Sequence, residues 1–94
     1  MERRKRDRYD IILDILETCV RGCKKTELIY RANLSFELAQ KYLELLMNSG
    51  LLTFESTDRI YSLTKKGEET RKLLLEYRHV KKIYHDIRSR LNML

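Results

Sequence analysis

Leu28-Ile29-Tyr30-Arg31-Ala32-Asn33-Leu34-Ser35, a helical run from Phe36 to Ser49 closed by Gly50, then Leu51-Leu52-Thr53-Phe54 and Ile60-Tyr61-Ser62-Leu63 around a polar loop: this stretch decides the fold. Asn33-Leu34 makes a turn between two helical segments. Ser35 suits the N-cap of the second, because its hydroxyl accepts from the free amides of the next turn, and Glu37 lies near the positive end of the helix dipole. Leu38, Tyr42, Leu45 and Leu46 share one face of that helix, with Ala39 and Leu43 beside them. Phe36, Glu37, Gln40, Lys41, Glu44 and Asn48 look outward. The two short apolar runs joined by Glu55-Ser56-Thr57-Asp58-Arg59 read as a hairpin with a polar tip.

Upstream, Ile12, Ile15, Leu16 and Cys19 fall at helical spacing, with Ile11 and Leu13 widening the stripe, and predict a core helix over about residues 4–20. Arg21-Gly22 ends it, with Gly22 suited to a left-handed cap. Lys25 or Thr26 opens a short helix burying Leu28, Ile29 and Ala32. Downstream, Thr64 caps a last helix that meets no breaker after Gly67 and is expected to reach Leu94, about 30 residues or roughly 45 Å. All three glycines read as caps or turns.

In the last helix Leu73, Tyr77, Val80, Tyr84, Ile87, Leu91 and Leu94 form an unbroken heptad seam. Leu73 and Leu74 can close the core, whereas the later seam residues would be bare in a monomer and call for a partner helix. Spacing leaves parallel and antiparallel pairing open, and a helix folded back along its own domain is the alternative. The expected fold is mostly α with a small β-hairpin: a winged helix-turn-helix over residues 1–72, continuous with a coiled-coil dimerisation helix over 73–94.

With 94 residues and 43% hydrophobic content, two folded domains are implausible. Twenty Lys and Arg against 14 Asp and Glu leave a net charge of +6, which suits a polyanionic partner without naming it. No apolar run approaches the roughly 20 residues needed to span a bilayer. The basic start, Met1 to Arg6, leads into Asp7 and Asp10 rather than into a signal-type apolar core. A soluble, cytoplasmic protein with no membrane partner is therefore expected. Cys19 and Cys23 are too few for a disulfide framework, so reduced thiols are expected. The absence of Pro and Trp, with three Asn and one Gln, fits a thermophilic intracellular source, in which a Cys19–Cys23 disulfide would gain ground.

In a helix-turn-helix the second helix lays its first outward residues in the major groove. Here these are Ser35, Phe36, Glu37, Gln40 and Lys41. Gln40 suits an adenine edge and Lys41 guanine or phosphate, but the face has one cation and carries Glu37 and Glu44, which repel phosphate. Other cations frame it: Arg3, Arg4, Lys5, Arg6 and Arg8, then Arg21, Lys24 and Lys25, Arg31, Arg59, and Lys65 with Lys66. Such a frame suits phosphate contacts, which position a protein without reading sequence. The candidate DNA-binding residues are Lys24, Lys25, Arg31, Ser35, Phe36, Gln40, Lys41, Arg59 and Lys65; the candidate dimerisation residues are Tyr77, Val80, Tyr84, Ile87, Leu91 and Leu94. Cys19, Cys23, His79 and His85 match no usual zinc spacing, so neither a metal nor a cofactor is expected. Without a glycine-rich phosphate loop or a nucleophile elbow, no enzyme is expected either.

Ile11-Ile12-Leu13-Asp14-Ile15-Leu16-Glu17, Lys24-Lys25-Thr26, Ile29 to Ser35, Lys41-Tyr42-Leu43-Glu44-Leu45-Leu46 and Tyr61-Ser62-Leu63-Thr64-Lys65-Lys66-Gly67-Glu68-Glu69 together resemble the small dimeric archaeal winged-helix DNA-binding proteins. Asn33-Leu34-Ser35 and Leu63-Thr64-Lys65-Lys66-Gly67 are the most specific pieces, and beyond Thr70 the likeness is one of pattern. The resemblance implies double-stranded DNA as ligand and a homodimer joined by an antiparallel coiled coil. Members are described as chromatin or nucleoid proteins or as transcriptional regulators; the resemblance thus implies a nucleoid-associated protein, and both roles stay open. Within DNA binding, the rival is a site-specific regulator reading a palindromic operator through Gln40 and Lys41. From another class, a winged helix can be a protein-interaction module that does not bind DNA, with Tyr30 and Phe36 as its surface.

Overall fold

In a computed structural model describing residues 6–94, Asp7 opens the first helix, α1 (Arg8–Thr18). Its carboxylate accepts from the Asp10 backbone N–H at 2.8 Å while the Asp10 carboxylate accepts from the Asp7 N–H at 3.0 Å, so two otherwise free donors are satisfied reciprocally. The helix therefore starts later than its apolar periodicity suggests. Arg3, Arg4 and Lys5 of the basic cluster lie outside the described residues.

Gly22, at φ +86°, turns the chain back after α1 in the left-handed region that glycine enters without penalty. That reversal brings the Cα atoms of Cys19 and Cys23 to 4.9 Å, and the two side chains are joined in a disulfide, which corrects the expectation of reduced thiols. Cys23 next exchanges hydrogen bonds of 2.9 and 2.8 Å with Tyr61, adding a one-residue edge to the hairpin sheet. A single pairing residue leaves no alternation in the sequence, so this edge is invisible there.

The short α2 (Lys25–Arg31) leads into a turn in which Asn33 takes φ +53°, a conformation Asn tolerates better than most residues. Ser35 then caps α3 (Phe36–Asn48), its hydroxyl accepting from the Leu38 N–H at 3.1 Å. The buried stripe of α3 is Ala39, Leu43 and Leu46, with Leu38 and Tyr42 at its margin. The helix is rotated from the expected face because both sets repeat at helical spacing and the small Ala39 permits the closer approach. Strands β1 (Leu52–Glu55) and β2 (Ile60–Leu63) pair antiparallel, with Leu52 opposite Leu63 and Phe54 opposite Tyr61. The core gathers Leu13, Ile15 and Leu16 of α1, Leu28 of α2, the α3 stripe, Leu51 and Leu52.

Thr64 caps the last helix, α4 (Lys65–Leu91), accepting from the Gly67 N–H at 2.9 Å while its hydroxyl donates to the Gly50 carbonyl at 2.6 Å. Gly67 is neither a cap nor a turn. It lies inside α4, where a Cβ would overlap the Leu51 carbonyl oxygen and lie 3.0 Å from its carbon. Of the two leucines expected to close the core only Leu74 does so; Leu73, one residue or about 100° earlier on the helix, is 65% exposed. The helix ends at Leu91, so Leu94, expected as its last seam residue, lies past the helical end.

Ion pairs fasten α4 across α1. Lys81 meets Asp7 at 2.5 Å and Asp10 at 3.4 Å, Arg78 meets Asp14 at 3.2 Å and Asp10 at 3.5 Å, and Arg6 reaches the same Asp14 at 3.1 Å. The Lys81 ammonium, helped by the Asp10 N–H, holds the Asp7 carboxyl below its ordinary range, and Asp7 in turn raises Lys81. Arg6 also donates to the carbonyls of Ala32 and Asn33, at 2.7 and 2.8 Å, closing the end of α2. The described body measures 58 × 26 × 20 Å with a radius of gyration of 15.3 Å, against about 12 Å for a compact chain of this length. Among the described residues no helix is long and apolar enough to cross a membrane.

Candidate nucleic-acid interface

Lys24 is the N-cap residue of α2 and Lys25 its first helical residue, while Arg59 stands just before β2, across an open groove whose other walls include Thr26, Phe54, Thr57 and Asp58. The hairpin side of that groove is built by its own turn. Glu55 accepts from the backbone N–H groups of Asp58 and Thr57 at 2.7 and 2.8 Å, and these two bonds lower its pKa below the ordinary carboxyl value. Arg59 follows at φ +56°. A non-glycine residue there costs roughly 1–2 kcal/mol. Glycine would make the turn more easily, and what arginine adds is a cation at the groove.

The outward face of α3 begins at Phe36, which is 63% exposed. Lys25 reaches over it: the Lys25 Nζ lies 4.1 Å from the Phe36 ring centroid and donates to the Gln40 Oε1. Gln40 in turn donates to Glu44 at 3.0 Å. One lysine thus ties α2 to two candidate reading residues. Ser35 serves as helix cap, and Lys41 is exposed on the same outward face. Arg31, at the far end of α2, is paired with Glu27 at 3.3 Å, and Lys65 is the exposed first residue of α4; neither lines the groove. Among the described residues, ion pairs take up Arg6, Arg31, Arg71, Arg78, Lys81 and Arg90, and none of Lys24, Lys25, Lys41, Arg59 or Lys65 is so engaged.

A second surface runs along α4. Val80, Tyr84, Ile87 and Leu91 are all more than half exposed, with Ile83 beside them. Tyr77 still lies against the body, its ring meeting that of Tyr9 edge-on at 5.4 Å, and Lys81 is the last α4 residue held there by ion pairs to α1. Of the two histidines, His85 packs edge-on against Tyr84 at 5.5 Å and His79 is exposed. No cluster of His, Cys, Asp and Glu among the described residues is placed to hold a metal ion.

Sequence reasoning found the cations of the groove but not the Lys25 bridge to Phe36 and Gln40. The bridge spans two helices, and no spacing within either one encodes it.

Comparison with known proteins agrees with this geometry. The chain matches 38% of residues over 73 positions, 77% of its length, with the uncharacterized protein MJ0290 of Methanocaldococcus jannaschii. It spans about a third of that relative, 32% of its length. Among solved structures it superposes on Sso10a-2, a DNA-binding protein from Sulfolobus solfataricus, with a TM-score of 0.85 and 32% identity, covering 93% of this chain and 94% of that one. The family model described as winged helix-turn-helix matches residues 5–82, and the chain belongs to that family.

Proposed function

We propose that this chain is a double-stranded DNA-binding protein, a binding module rather than an enzyme, that acts as a homodimer and holds DNA largely through phosphate contacts. The observation that carries the reading is the groove in which Lys24 and Lys25 face Arg59 beside the exposed first turn of α3. Its likeness to Sso10a-2, which binds DNA, supports the same ligand. α3 would enter the major groove while the hairpin tip and the start of α2 follow the flanking phosphates. Two acids on α3 and a bridged Gln40 favour backbone holding over extensive base reading, which fits coating, bridging or compacting DNA, or simple repression, in the cytoplasm.

Residues 73–94 are assigned to dimerisation. The exposed seam of Val80, Tyr84, Ile87 and Leu91 would pack against a second copy, antiparallel as the family resemblance implies. Such pairing carries two heads, and the frame of cations counts twice.

Electrophoretic titration against several unrelated duplexes at rising salt tests the ligand. Affinity is expected to be similar among them and to fall steeply with salt, because each neutralised phosphate contributes about −0.9 to the slope of log K against log salt. No binding at low salt would sink the reading. Light scattering on the full chain at micromolar concentration should give twice the chain mass, and replacing Val80 and Ile87 by Asp should return it to a monomer. A monomeric native chain refutes the dimer.

A protein-interaction module is the second reading, favoured by one observation: Tyr30 is 87% exposed and Phe36 63%. An interface centred on those rings is insensitive to salt and to the charge of Lys24.

A further inference from the structure

The first turn of α3 presents an aromatic ring where a DNA reader would place a polar group, and the fold does not need it. Phe36 is the first residue of α3, it is 63% exposed, and it belongs neither to the buried core nor to the partly buried side chains packed against it. What touches one face of the ring is Lys25, 4.1 Å from its centroid. That contact restrains the ring and leaves the rest of it facing outward.

Its neighbours narrow what can lie against it. Glu37 is exposed beside it, so this turn is repelled by phosphates and favours the base edges between the two backbones. Gln40, one turn on, has its carbonyl accepting from Lys25 and its amide donating to Glu44. A bidentate adenine contact needs both ends of that amide, and making one would compete with both existing bonds. Lys41, exposed one turn further on, suits guanine or phosphate, so within the first turn the apolar ring is the outward side chain free to discriminate. In the major groove only thymine among the four bases offers an apolar group, its C5-methyl.

We propose that Phe36 is the specificity-determining residue of this interface and prefers thymine by apolar contact with its C5-methyl group, Lys25 acting as the positioning residue that holds the ring. The proposal rests on the DNA-binding reading above. It gives a phosphate-held protein a bias toward thymine-bearing sites without an operator-like code.

The test changes the DNA before the protein. Matched duplexes carrying thymine or uracil throughout differ by the methyl groups. The native chain is expected to bind the uracil duplex at least about fourfold more weakly, the effect of leaving one methyl-sized group unburied. A G·C duplex should gain by a similar factor when its cytosines carry a C5-methyl group. Phe36→Ala should bind both duplexes equally, and Phe36→Leu should keep part of the preference, each with an unchanged thermal melt. Equal affinity of the native chain for thymine and uracil duplexes overturns the proposal and leaves the DNA-binding reading standing. A uracil effect that survives in Phe36→Ala assigns the preference to duplex shape and overturns it too. Failure to bind any duplex at low salt overturns the DNA-binding reading, and this proposal with it.

Discussion

Replacing Lys24, Lys25 and Lys41 together by Glu is expected to lower duplex affinity several hundredfold at about 0.1 M salt, the largest functional effect any small set of substitutions should have here. Each phosphate contact of slope about −0.9 is worth roughly eightfold at that salt, so three give about 500-fold before the added repulsion of the new carboxylates. The salt slope itself should shrink by about three. Stability should fall by only about 1 kcal/mol, the loss of the Lys25 bond to Gln40, because Lys24 and Lys41 are exposed and none of the three is in an ion pair among the described residues. Titration at several salt concentrations beside a thermal melt reads both quantities. Undiminished DNA affinity would remove the basic frame from the mechanism, and survival of a protein contact through Tyr30 and Phe36 would favour the interaction module. Arg59→Gly supplies a finer control: it relieves a left-handed backbone while removing a groove cation, so binding should fall with no loss of stability.

Gly67→Ala should lower the melting temperature by about 10–15 °C, contrary to what helix propensity alone implies. In a free helix the change is worth about 1 kcal/mol in alanine's favour. Here the new methyl meets the Leu51 carbonyl, which is already fixed by the Thr64 N–H at 3.1 Å and belongs to a buried residue. The contact is with backbone and cannot be relieved by a rotamer change, so α4 or the start of the hairpin must move. Overpacking of this kind costs roughly 1–3 kcal/mol and occasionally more, so a net loss near 2 kcal/mol is expected, at about 4–8 °C each in a domain of this size. Circular dichroism melting measures it directly. A raised melting temperature would mean that α4 can back away from Leu51 freely.

Gly67 and the groove cations also mark what could be read in the chain and what could not. The caps were legible because their chemistry is local: Ser35 and Thr64 each accept from an N–H three residues on. The hairpin was legible because two apolar runs flank a polar tip. Gly67 looked like punctuation because its reason is a carbonyl sixteen residues away, across the packing of α4 on the start of β1. The α3 face was misplaced by part of a turn because Leu38, Tyr42 and Leu45 repeat as regularly as Ala39, Leu43 and Leu46. Burial chose between them through Ala39, whose small size a periodicity does not weigh. The Cys19–Cys23 disulfide depended on the reversal at Gly22, and the Lys25 bridge on the crossing of two helices. Cation positions were plain in the sequence, but not that Arg31 would be occupied by Glu27 while Lys24, Lys25 and Arg59 would face one groove.

The ion pairs between α1 and α4 are exposed enough that each adds little to stability, and their consequence is angular. They brace the helix at two successive turns, Arg78 and Lys81, against three aspartates on consecutive turns of its neighbour. Across a molecule 58 Å long, a tilt of about 5° there would carry one end about 5 Å past the other, more than the roughly 3.4 Å rise of a base pair. In the proposed dimer these charges set the aim of each head along the duplex, so neutralising Asp10 or Asp14 would leave two sound heads out of step.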